Sequence, residues 1–150
     1  MTRVKRGQSA AAPHRPWRIL VTGDNPDSVE LISRLLAEAG HEIDRAEARN
    51  EVLAILGTHA PHVLLIDVTH PGQGDALALI EAVRKSTSDS VSSTKVVVCA
   101  SRGVSALFAR DIGADEVLVR PFFAHTLLGT VDEVVAGPKE PAVPVTSQNR

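Results

Sequence analysis

Two aspartates in this 150-residue chain stand where a sheet could bring them together. Asp67 ends the apolar run Val63-Leu64-Leu65-Ile66, and Thr69, His70, Pro71 and Gly72 follow it. Asp24 stands in the same way after Arg18-Ile19-Leu20-Val21. A carboxylate at the end of a hydrophobic strand, ahead of a loop, lies at the edge of a core. In open α/β sheets ligands bind at the carboxyl ends of the strands. Two carboxylates from two strand ends form a candidate site for Mg²⁺, which takes one or two carboxylates and keeps several waters. The competing account is turn or N-cap work in strand-to-helix loops.

The elements that position these residues alternate along the chain. Residues 18–22 read as a strand. Asn25 and Pro26 start a helix, as N-cap and first helical residue, with Asp27 and Glu30 in the favourable first turn. Val29, Ile32, Leu35, Leu36 and Ala39 follow helical spacing, and Gly40 supplies the stop. A strand of mixed pattern over 41–46 belongs near a sheet edge. A short helix over 51–57, a strand over 63–67 and a helix over 75–85 follow. Then come a strand over 95–100, a helix over 104–112 ended by Gly113, a strand over 116–119 and a last helix over 124–135. The Ser/Thr-rich stretch 86–94 is long for such a connection and reads as a flexible loop. Four of the five strands are nearly continuous apolar runs, which a parallel sheet covered on both faces requires. The pattern predicts an α/β fold with a doubly wound, five-stranded parallel sheet.

Composition sets the bounds. The chain is 43% hydrophobic and 23% charged with a net charge of −2, so nothing global favours nucleic acid. Cys99 is the single cysteine, which excludes an intrachain disulfide, and its apolar neighbours mark it as a buried small hydrophobe. No apolar stretch approaches the ~18 residues that span a membrane, and the N-terminus lacks a secretory apolar core. A cytoplasmic location without membrane contact is the expectation. Residues 1–16 form a basic tail and 137–150 a Pro-rich tail, both expected to be disordered, around one domain over 17–136.

Over residues 17–136 the chain resembles the receiver domains of bacterial two-component response regulators, the CheY-like family. Its landmarks stand in order: Ile19-Leu20-Val21 with Asp24-Asn25-Pro26, Ala39-Gly40-His41, Pro61 to Asp67 with Pro71-Gly72, Gly113-Ala114-Asp115-Glu116, and Arg120-Pro121-Phe122. The resemblance implies a flavodoxin-like sheet of order 2-1-3-4-5. It implies that Asp67 is the phospho-acceptor. It implies Mg²⁺ held by Asp24, Asp67 and the backbone carbonyl of Thr69. The positive partner of the phosphoryl group is then Arg120, where the family has Lys; both carry the charge, but with different geometry. The Arg120–Pro121 peptide is a candidate for the cis form.

The departures from the family pattern matter as much. Gly23 replaces one of two adjacent acids, which weakens the metal site. Ala100 replaces a Ser or Thr whose hydroxyl bonds the phosphoryl group, and Ser101 beside it would face the other way. Val117 stands where the family has an aromatic switch residue. The chain is therefore expected to be a divergent receiver in which the usual coupled switch is missing.

With no further domain in this sequence, output is expected through protein contacts. The resemblance implies a histidine kinase or phosphotransfer protein as phosphodonor. It also implies a downstream partner, or a second copy of the chain as homodimer mate, on the face built from 104–112 and 117–135. Phe108, Phe122 and Phe123 all fall in this region, and Phe123 is the candidate surface contact because adjacent residues cannot easily both point inward. Trp17 is expected to cap the bottom of the sheet, and the histidines to be solvated. A self-sufficient enzyme is not expected: the chain has no P-loop, no G-x-S-x-G elbow and no dinucleotide fingerprint after its first strand. The alternative is a degenerate pseudo-receiver, a phosphorylation-independent interaction module that keeps the fold for its surface.

Overall fold

Five strands lie parallel in the order β2-β1-β3-β4-β5, where β1 is Arg18–Gly23, β2 Glu42–Arg45, β3 Val63–Val68, β4 Lys95–Ala100 and β5 Glu116–Val119. The computed structural model describes residues 16–69, 74–101, 111 and 113–137. The helices are α1 (Pro26–Glu38), α2 (Arg49–His59), α3 (Gly74–Arg84), the one-turn α4 (Asp89–Ser92) and α5 (Ala124–Ala136). The order is the flavodoxin-like one that the family resemblance implies. It puts a topological switch point between β1 and β3, so both candidate aspartates lie at one crevice.

Alternation along the strands sorts the core into two layers. Leu20, Leu64, Ile66, Val96, Val98 and Ala100 face α2, α3 and α4. Ile19, Val21, Val63, Leu65, Val97 and Cys99 face α1 and α5, meeting Ile32, Leu36, Leu127 and Val131. All six residues of β3 are buried, as a central strand covered on both faces demands. Strand β2, with its mixed pattern, is an edge, as its sequence suggests.

Local signals set the helix ends. Asn25 Oδ1 accepts hydrogen bonds from the N–H groups of Asp27 at 3.0 Å and Ser28 at 3.1 Å, so α1 starts where its cap residue predicts. Gly40, at φ 101°, takes the left-handed conformation that ends the helix without a Cβ penalty. Helix α2 starts at Arg49, two residues ahead of the expected Glu51. Its first turn is polar and exposed, so apolar periodicity does not reveal it.

Two expectations need correction. The stretch 86–94 is not a featureless loop. It folds into α4 because Val91 buries itself in the α2/α3 layer, and Arg84 holds the carbonyls of Ser92 at 2.9 Å and Thr94 at 2.7 Å. The histidines are not all solvated. His41 is buried, and its Nδ1 accepts the Trp17 N–H at 3.0 Å, while His62 Nδ1 accepts the Arg18 N–H at 3.0 Å. Backbone donors at the entry to β1 find acceptors in these rings, of which only His41 is buried; His62 stays exposed, as expected. Trp17 sits at that end of the sheet as expected, with its Nε1 donating to Asp132 Oδ1 at 2.8 Å. Of the helix expected over 104–112 only Asp111 is described, and it is helical. Phe108, His70, Pro71, Gly72 and both tails lie outside the described residues.

Candidate functional site

Asp67 is 1% exposed, one residue before the end of β3. Strand alternation turns its side chain to the α1/α5 face, in line with Val63 and Leu65. Its register partners are Gly23 on β1 and Cys99 on β4. A carboxylate this buried requires a compensating charge. Arg120, immediately after β5, supplies it: Nη2 donates to Asp67 Oδ1 in a close ion pair. The backbone N–H of Arg120 donates to the Ala100 carbonyl at 2.8 Å, which anchors the residue to the end of β4. The Arg120–Pro121 peptide is cis. Beyond it, the Phe122 ring centroid lies 5.7 Å from the guanidinium carbon.

Two polar atoms at this pair have no hydrogen-bond partner among the described residues: Asp67 Oδ2 and Arg120 Nη1. Both are buried. One is an acceptor and the other a donor. Such atoms in a native interior call for an explanation, and an absent ion or group is a common one.

Asp24 stands beside them on the exposed rim. Its N–H donates to the Asp67 carbonyl at 3.2 Å. Its carboxylate accepts from the Thr69 N–H at 3.0 and 3.2 Å and from Thr69 Oγ1 at 2.7 Å. Asp24, Asp67 and Thr69 are thus brought to one crevice from the carboxyl ends of two neighbouring strands. A cleft of about 410 Å³ opens beside them, lined by Asp24, Asp67, Glu47, Arg49 and Asp75 over Val52 and Leu79.

The residues at the replaced positions are also placed. Ala100 is fully buried on the α2/α3 side and offers only a methyl group. Val117 is buried in the same layer. Ser101 follows β4, with its N–H donating to the Val68 carbonyl at 3.1 Å. Cys99 is fully buried next to Asp67. Burial first, and then the Asp67 charge, push its thiol up to about 12 against an opposing effect of Arg120. That makes it an inert core residue, as its apolar neighbours predict.

The model of the response regulator receiver domain family matches residues 19–132. The chain belongs to the response-regulator receiver family. It is 28% identical over 123 residues to Protein PilH of Pseudomonas aeruginosa, covering 80% of this chain and 98% of that one. Among solved structures, NtrX of Brucella abortus is 26% identical with a TM-score of 0.70, over 81% of this chain and 26% of that one. The chemotaxis response regulator CheY4 of Vibrio cholerae is 25% identical with a TM-score of 0.66, over 80% of this chain and 99% of that one. Receiver domains are signalling modules, phosphorylated on an aspartate. They bind Mg²⁺ at that site and interact with histidine kinases or phosphotransfer proteins. No helix among the described residues is long and apolar enough to cross a membrane.

The receiver crevice fits a hard divalent cation by donor chemistry. It offers the Asp24 and Asp67 carboxylates, and among the described residues Asp67 Oδ2 is a buried oxygen without a partner. Among the described residues no group of three or more His, Cys, Asp or Glu is clustered, in keeping with one acid being absent at Gly23. One contributor escapes sequence reading. Ser28 Oγ accepts from Arg120 Nη2 at 2.9 Å across 92 residues. A serine in the first turn of a helix is ordinary, so only the tertiary contact reveals it.

Proposed function

We propose that this receiver domain accepts a phosphoryl group on Asp67 and signals through protein contacts. The observation that carries the reading is the Asp67–Arg120 pair, in which Oδ2 and Nη1 are both buried without partners among the described residues. A carboxylate oxygen attacks phosphorus, the bond from phosphorus to the donor nitrogen of a phosphohistidine breaks, and the imidazole leaves with its electron pair. The product is an acyl phosphate on Asp67. Little covalent work falls to the protein in such transfers; positioning and charge dominate. Arg120 supplies the positive charge, and its spare Nη1 donor is available to a phosphoryl oxygen. Asp24, Asp67 and the Thr69 carbonyl would hold Mg²⁺, which when bound neutralises charge on the transferring group.

The domain is read as one unit over 17–136, with a histidine kinase or phosphotransfer protein as donor. Phe123 is 72% exposed, and Val119 is exposed on the preceding strand. These support an output surface, for a downstream partner or a second copy, that includes β5 and the start of α5. The second reading, a phosphorylation-independent module, is favoured by Ala100 and Val117, which supply neither the hydroxyl nor the aromatic ring of the family's switch. Intact mass after incubation with acetyl phosphate and Mg²⁺, beside Asp67→Asn, separates the two. A phosphoryl mass gain lost in the variant is expected. No gain, with a control receiver labelled under the same conditions, would sink the acceptor reading.

A further inference from the structure

Arg120 does not reach Asp67 by its own backbone anchor alone. A guanidinium sits at the end of a flexible stem, and holding it in one place loses rotamer freedom. Three groups fix its position: the Asp67 carboxylate, the Phe122 ring and the Ser28 hydroxyl. The carboxylate is the group that would be modified. Phe122 is two residues away on the same loop, with its ring packed against the α1/α5 core. Among the described residues, Ser28 is the support besides Asp67 that comes from a separate element.

Ser28 is itself well fixed. Its N–H donates to Asn25 Oδ1 at 3.1 Å, so it is part of the capped first turn of α1. That helix buries Ile32 and Leu36 in the core and packs Val29 of its first turn against it, which anchors the end that carries Ser28. Arg120 Nη2 therefore bridges the Ser28 hydroxyl at 2.9 Å and the Asp67 carboxylate, and among the described residues Nη1 has no partner. Ala100 offers no side-chain hydrogen bond at the end of β4, so a hydroxyl acting on this pair comes from α1 instead.

We infer that Ser28 is the positioning residue of this site: its hydroxyl holds the Arg120 guanidinium in place while Asp67 passes from carboxylate to acyl phosphate. The inference rests on the reading of Asp67 as acceptor. Ser28 makes no hydrogen bond to Asp67, so it acts through Arg120 alone.

The test uses the full chain and the variants Ser28→Ala and Ser28→Thr, each also combined with Arg120→Met. Nitrogen-15 NMR of the Arg120 guanidinium reads its immobilisation without any phosphodonor. Intact mass against time, with acetyl phosphate and Mg²⁺, reads the rate of labelling. Ser28→Ala is expected to broaden or merge the guanidinium signals and to slow labelling roughly three- to tenfold, the loss of one charge-assisted hydrogen bond. Ser28→Thr, which keeps the hydroxyl, restores both readouts. In the Arg120→Met background Ser28→Ala has no further effect on rate. Unchanged guanidinium signals in Ser28→Ala overturn the inference, as does an equal slowing with and without Arg120. A chain that takes no phosphoryl group, yet whose guanidinium is released by Ser28→Ala and restored by Ser28→Thr, sinks the acceptor reading and upholds the role of Ser28.

Discussion

Gly23 and Asp67 are register partners on β1 and β3, and a Cβ at Gly23 would lie 2.8 Å from the Cβ of Asp67. It would also lie 2.7 Å from the Asp67 carbonyl oxygen and 2.8 Å from Val29 Cγ2. Most of these neighbours are backbone or stiff, so something must shift. The missing acid is therefore not a simple vacancy that mutation can refill. Gly23→Asp, which restores the family's acid pair on paper, is expected to destabilise the domain by about 1–3 kcal/mol. A fall in the urea midpoint checks this; a stable Gly23→Asp protein with tighter Mg²⁺ binding contradicts it.

The buried ion pair predicts an asymmetric mutational response. Arg120→Met leaves the Asp67 carboxylate buried without its partner and is expected to cost about 3 kcal/mol or more at neutral pH. Asp67→Asn removes the buried charge and is expected to cost less. The double variant should be more stable than the sum of the two losses implies. Urea unfolding of all four proteins measures the coupling, and strict additivity would argue that the pair contributes nothing.

Thr69 offers a local reporter for metal. Its N–H lies 3.0 Å from Asp24 Oδ1, so an ion drawn to Asp24 must perturb it. In a Mg²⁺ titration the Thr69 amide resonance is expected to shift among the first, and Asp24→Ala should abolish the shift. Trp17 lies at the other end of β1, beside His41 and Asp132, so its fluorescence should hardly respond.

Cys99 gives stability a defined alkaline limb. Burial pushes its thiol up to about 12 in the fold from its ordinary value of 9.0. Between those values the unfolded chain releases this proton and the folded one keeps it. The stabilising contribution is therefore complete below the unfolded value and is lost as pH rises toward the folded one, at up to about 1.4 kcal/mol per pH unit. Cys99→Ala should flatten that limb in pH-dependent urea unfolding. The native thiol should also resist alkylation at pH 8 until the chain unfolds.

Arg84 is a structural clasp remote from the crevice. It donates to the carbonyls of Gly113, Ser92 and Thr94 at 2.9, 2.9 and 2.7 Å, and to Asp115 Oδ2 at 2.7 Å. Asp115 Oδ2 in turn accepts the Val96 N–H at 2.7 Å. An ammonium cannot span this set, so Arg84→Lys is expected to cost about 2–3 kcal/mol, nearly as much as Arg84→Ala. Thermal or urea midpoints of the two variants decide it. Full retention of stability in Arg84→Lys would show that charge alone suffices.

Much of this domain is legible in the residues themselves. Continuous apolar runs at 19–21, 63–66 and 96–99 demand a parallel sheet with both faces covered. Asn25-Pro26 marks a helix start to the residue. An aspartate closing a buried run, at 67, marks a strand end in a crevice. These signals are local, because strand alternation, helix period and capping are set by neighbours within a few positions of one another. The tertiary structure alone decided the rest. Ser28 is an ordinary residue until the strand order puts α1 beside Arg120 in the loop after β5. Arg84 is one more basic residue at a helix end until the end of α3 meets the turns before β4 and β5. Gly23 reads as a lost acid until its backbone is packed on Asp67. His41 reads as solvated until the entry to β1 takes its ring as an acceptor. Each of these roles depends on which distant segments become neighbours, and local periodicity carries no record of that.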